Sequence, residues 1–100
     1  MSPDEMGQAL QLARGNPGAI TVLAQVAAEG ELGRVARDLE AANAHGPCIW
    51  LLYKDIHNMD LKAFMESTDQ IEALLSEHPT VKKEWDYYQA SEEKCAQLRE

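Results

Sequence analysis

The chain has 100 residues, a formal net charge of −8 at pH 7 and 45% apolar residues. That length holds one domain with a small core, and the apolar fraction is too high for a disordered chain. No apolar run approaches the roughly 18 residues that span a bilayer, and no basic stripe is offered to phosphates, so neither membrane insertion nor direct nucleic-acid binding is expected.

Acidity is stronger in the second half: residues 1–50 carry six acids and three bases, and residues 51–100 carry eleven acids and six bases. The start, Met1-Ser2-Pro3-Asp4-Glu5, has neither the basic nor the apolar region of a signal peptide. A cytoplasmic protein is expected. Cys48 and Cys95 form no Cys-x-x-Cys unit, and Cys48 stands in the most apolar run, so a buried reduced thiol is expected there.

Ser2-Pro3-Asp4-Glu5 has the form of a capping box, with Ser2 as N-cap and Glu5 at N3. The helix it opens is predicted to turn Met6, Ala9, Leu10 and Ala13 inward and to end near Arg14-Gly15. Gly15 suits a left-handed position after a helix. Asn16 is a strong N-cap, and Pro17 fits the first helical position, where a missing N–H costs nothing. One helix therefore ends and the next begins with almost no linker. The second helix is predicted over 17–28, with Ile20, Leu23, Ala24 and Ala27 on its inner face, Val22 and Val26 widening that face, and Gly30 closing it. A third is predicted from Glu31 to about Ala44, where Leu32, Val35, Ala36 and Leu39 recur at helical spacing. Its opposite side, with Arg34, Arg37, Asp38 and Glu40, reads as a solvated face.

Gly46-Pro47 repeats the stop-and-start grammar before Cys48-Ile49-Trp50-Leu51-Leu52-Tyr53. This run is continuously apolar, so periodicity alone does not separate a helix from a buried strand. As a strand it would pair with residues 19–26 across a crossover through 31–43. A helix is preferred, because Pro47 stands well at N1 and the chain has too few strands to complete a covered parallel sheet. Asn58-Met59-Asp60 is read as the cap of a short helix with Leu61, Phe64 and Met65 inward. Thr68-Asp69 is read as the opening of another, with Ile71, Leu74 and Leu75 inward, stopped by Pro79. Thr80 is then the cap of the last helix, 81–98, with Val81, Trp85, Tyr88, Cys95 and Leu98 along one stripe. The expected fold is all-α: a single domain over 1–100, an irregular orthogonal bundle of six or seven short helices. Residues 81–100 form a longer C-terminal helix that extends beyond the core.

Chemistry-bearing residues are few. Asp55, His57, Asp60 and Glu66 gather near one turn, and Glu66 stands where the last ligand of a calcium loop would. His57, Met59 and Asp60 nevertheless fall where such a loop needs an oxygen ligand, a second one, and Gly. Asp60 is better explained as a first-turn acid that favours the helix dipole. No metal and no cofactor is expected. His45, His57 and His78 could each titrate near neutrality, and none pairs locally in the sequence with a Ser or Cys nucleophile and an orienting acid. Gly15-Asn16-Pro17-Gly18 could hold an anion beside Arg14, but it lacks the Gly-Lys-Ser/Thr of a phosphate loop, and structural capping explains it.

The aromatics suggest contact instead. Trp and Tyr are enriched at binding hot spots, which makes Trp50, Tyr53, Trp85, Tyr87 and Tyr88 the candidate interaction surface. Trp85 and Tyr88 are expected to face the fold, and Tyr87 to point away from it.

Gly15-Asn16-Pro17-Gly18-Ala19 with Val22-Leu23, followed by Gly46 with Ile49-Trp50 and Tyr53-Lys54-Asp55, and then Asp60-Leu61-Lys62-Ala63-Phe64, resembles a group of small phage and prophage-encoded proteins. In that group a GNPGA-x-x-VL element precedes a G-x-x-IW-x-x-YKD element. The resemblance covers roughly residues 14–66 and brings no assigned activity, so no functional residue is carried over. It implies a mobile-element origin and a bacterial cytoplasm. The expected function is a phage-derived protein–protein interaction module without catalytic activity, a homodimer if its surface is self-complementary. The alternative is a phage transcription regulator or a DNA mimic that acts on a host nucleic-acid-binding protein.

Overall fold

Ser2 opens the chain as a complete capping box. Its hydroxyl accepts from the Glu5 N–H at 3.2 Å, and the Glu5 carboxylate accepts from the Ser2 N–H at 3.2 Å. The computed structural model describes the backbone of residues 2–99, and the side chains within that range except those of Glu92 and residues 95–99. The expectations for Cys95 and Leu98 lie outside the described side chains.

The first helix, α1, runs Pro3–Ala13 and ends at Arg14 in the left-handed region. Asn16 then caps α2, Pro17–Ala28, by accepting from the Ala19 N–H at 3.0 Å. Next comes α3, Leu32–Ala41, from which Leu32, Val35, Ala36 and Leu39 enter the core. A short α4, Pro47–Trp50, passes directly into a π-helical segment, Leu51–Ile56. Beyond a turn lie α5, Leu61–Ser67, a 3-10 turn, Thr68–Gln70, α6, Ile71–Glu77, and the long α7, Pro79–Arg99. No strand occurs among the described residues. The all-α reading stands, and the apolar run 48–53 is helical.

The buried apolar side chains form one cluster. Helix α1 packs on α2 and α3, and α2 packs on α4 and α5. Helix α7 packs on α6, on α4 and on the π segment. The Cα radius of gyration is 13.0 Å, the value of about 13 Å expected when 100 residues pack into one globule. Gly46 fixes a corner of this packing. Its φ of 54° with ψ of −123° is open only to glycine, and its buried N–H donates to the Leu12 carbonyl at 2.7 Å. The α3–α4 turn is thereby tied to the end of α1.

Four expectations are corrected. On α1 the inward residues are Ala9, Leu12 and Ala13, while Met6 and Leu10 are each 52% exposed. The neighbours α2 and α3 meet the other flank of the Ala9–Ala13 seam. On α2 Ala19, Val22, Leu23 and Val26 are fully buried, and Ile20 and Ala27 lie at the edge. Thr68 does not cap α6: it is 3% exposed within the 3-10 turn, and α6 starts at Ile71. Pro79 and Thr80 are already inside α7, because proline at a helix start keeps φ and loses no intrahelical bond.

Candidate functional site

The five aromatics divide by element. Trp50 and Tyr53 stand one turn apart where α4 becomes π-helical. The π register is shown by the His57 N–H, which reaches back five residues to the Leu52 carbonyl at 3.2 Å. A wider turn sets successive side chains closer round the axis than an α-helix does. Leu51, Leu52 and Tyr53 are buried in succession as a result.

Tyr53 is 5% exposed and meets Phe64 edge to face, with ring centroids 5.9 Å apart. Its hydroxyl donates to Gln25 Oε1 at 3.3 Å. Trp50 lies half-buried across Gly18. A Cβ on Gly18 would fall 2.8 Å from the indole Cδ2 and Cε3. The segments 15–23 and 46–55 are therefore two halves of one junction, α2 against α4. Lys54 Nζ sits 5.9 Å from the Trp50 ring centroid, within cation–π reach. Tyr53 is thus committed to the chain's own core, and Trp50 keeps one flank outside.

On α7, Trp85 is 3% exposed and its carbonyl lies 4.0 Å from Cys48 Sγ. It too is a core residue. Tyr87 is 70% exposed, and its ring meets that of half-buried Tyr88 at 72° with centroids 5.6 Å apart. Of the residues singled out in the sequence, Tyr87, Tyr88 and the outer flank of Trp50 are open to contact. Past Gln89, which donates to the Asn43 carbonyl at 3.1 Å, the described side chains of α7 at positions 90, 91, 93 and 94 are exposed.

Two polar groupings have no local signature in the sequence. Arg34, assigned to a solvated face, instead reaches across from α3. It donates to the Met65 carbonyl at 2.6 Å, to Asp38 Oδ2 at 3.1 Å and to Thr68 Oγ1 at 3.3 Å. Its Nε pairs with Glu31 at 3.2 Å. Buried Thr68 also lies 3.0 Å from Asp38 Oδ2, so a buried hydroxyl is satisfied and α3 is stapled to the end of α5.

In the second grouping Ser67 Oγ is 2.8 Å from His57 Nε2 and 2.7 Å from the Ala63 carbonyl. The hydroxyl has one proton. It goes either to the Ala63 carbonyl, with Oγ accepting from the Nε2–H tautomer of His57, or to Nε2 of the other neutral tautomer. Burial lowers the His57 pKa below its ordinary 6.5, against the pull of Asp60 and with a smaller push from His78. The sequence reading concerned local pairs with an orienting acid; the fold brings His57 and Ser67 together from ten positions apart.

Asp60 is the N-cap of α5, accepting from the Ala63 N–H at 3.2 Å. This bears out the cap read at Asn58-Met59-Asp60, with the acid one position before the first turn. Among the described residues no group of three His, Cys, Asp or Glu is placed to hold a metal ion, and no helix is long and apolar enough to cross a membrane. No protein-family model matches the chain, and neither a curated protein nor a solved structure shows significant similarity to it.

Proposed function

We propose that this chain is a helical protein–protein interaction module of phage origin that acts by contact and not by catalysis. The observation that carries this reading is Tyr87: a large aromatic, 70% exposed, braced by the Tyr88 ring and presented on a helix whose described side chains past Gln89 face outward. A rigid, amphipathic ring of this kind supplies contact area at small entropic cost. The resemblance of residues 14–66 to phage and prophage proteins supports the origin. The partner is a phage or host protein in the bacterial cytoplasm, or a second copy of the chain if the Tyr87 face is self-complementary.

The test is a nuclease-treated pull-down from infected or induced host cells, read by mass spectrometry, with wild type and Tyr87→Ala side by side. Tyr87 makes little use of the core, so the variant keeps its fold. One protein retained by wild type and lost with Tyr87→Ala supports the proposal. A partner indifferent to the substitution counts against the Tyr87 face. Recovery of the bait alone, with a monomeric mass in solution, counts against the contact reading altogether.

A further inference from the structure

We propose that the cleft between the Met59 turn, α5 and the start of α3 is a docking groove for a cationic amphipathic helix of another protein. This rests on reading the chain as a contact module, and it places a second contact face on elements other than α7. The cleft is open to solvent and has a volume of about 690 Å³, within the range of about 300–1,000 Å³ usual for ligand pockets. Its apolar part is Met59, Leu61 and Met65. Met59 is 57% exposed and holds a φ of 66° directly after Asn58 at 50°. A left-handed turn is best served by Gly or Asn, and a methionine contributes most to stability when buried. Met59 therefore adds little to the turn or the core, and it presents its side chain to solvent at the mouth of the cleft. Flexible thioethers adapt to varied apolar partners.

Charge names the occupant. Glu29, Glu31, Asp60 and Glu66 line the same cleft. Glu31 and the opposing cation Arg34 engage each other, and Asp60 caps α5, which leaves Glu29 and Glu66 against Lys62. An apolar strip edged by carboxylates fits a helix with large apolar residues at i, i+3, i+4 and i+7 and Lys or Arg beside them. An acidic helix would meet like charge here and throughout a chain of net charge −8.

The probe is a synthetic 14-residue Leu/Lys helix of that pattern, added to ¹⁵N-labelled full-length protein at low salt. The controls are the matched Leu/Glu helix and a Leu/Lys peptide of scrambled order. Amide shifts concentrated on residues 29–34 and 59–66, given by the Leu/Lys helix alone, are expected. Met59→Asn fits the turn and is expected to weaken binding about threefold to tenfold. The double variant Glu29→Lys/Glu66→Lys is expected to weaken it about tenfold or more. Equal binding of the acidic or scrambled peptide overturns the groove, as does wild-type affinity in both variants. Shifts centred on Tyr87 overturn it too, while leaving the contact function standing. Absence of any shift also overturns the groove, and the pull-down then decides the contact function separately.

Discussion

Gly18 and Trp50 form the tightest close approach described for a glycine of this chain. An indole seated on a glycine Cα has no room for a methyl group, and over-packing of this kind costs about 1–3 kcal/mol. Alanine gains up to about 1 kcal/mol of helix propensity over glycine, so the clash decides the sign only if Trp50 stays in place. Gly18→Ala is expected to lower the urea midpoint. In a Trp50→Phe background the same substitution is expected to cost clearly less, and equal costs in both backgrounds would show that the two residues are not coupled. His57 gives a second residue-level expectation. Its folded pKa is below the ordinary 6.5 because the charged ring is partly desolvated. Below that pH the unfolded chain binds the extra proton first, so stability falls as pH drops from about 6.5 toward the folded pKa. His57→Gln keeps an amide donor near Ser67 and cannot titrate. Urea midpoints across pH 5–8 are expected to lose this part of their slope in the variant, and parallel profiles would refute the assignment.

At the scale of elements, the stops and starts are written locally and are legible. Ser2, Asn16 and Asp60 each accept from the N–H three residues on, and Pro17 and Pro47 open their helices. The inner face of α3 is legible for the same reason: its polar and apolar sides are well separated. On α1 both flanks of the Ala9–Ala13 seam are apolar, and only the neighbours choose Leu12 over Met6 and Leu10. The π segment hides in the sequence because its wide register erases the 3.6-residue rhythm, so helix and strand look alike there. The Arg34–Asp38–Thr68 staple is invisible because its partners lie about thirty positions apart in the chain. Its weight is testable. Thr68→Val keeps the shape and removes the hydroxyl, leaving Asp38 and Arg34 one partner short. A loss of about 1–2 kcal/mol is expected, or roughly 4–16 °C in Tm for a domain of this size. An unchanged Tm would mean that water replaces the hydroxyl at no cost.

For the whole molecule, the dominant long-range quantity is net charge. A chain of −8 over 100 residues repels itself when folded more than when expanded. Short ion pairs such as Lys82–Asp86 at 2.8 Å, about half exposed on both sides, offset little of this, since exposed pairs contribute about 0–1 kcal/mol. Added salt shortens the screening length to about 10 Å at 0.1 M and to about 3 Å at 1 M, which removes repulsion between distant acids before it weakens close pairs. Stability is therefore expected to rise with sodium chloride from low to moderate concentration. Charge reversal provides the internal control. Glu84 is exposed on α7, and Glu84→Lys exchanges two good helix formers while moving the net charge two units toward zero. The variant is expected to melt above wild type at 20 mM salt and to converge with it near 0.5 M. A gap that persists at high salt would place its origin in local helix contacts. A variant less stable than wild type at low salt would refute global repulsion as the controlling term.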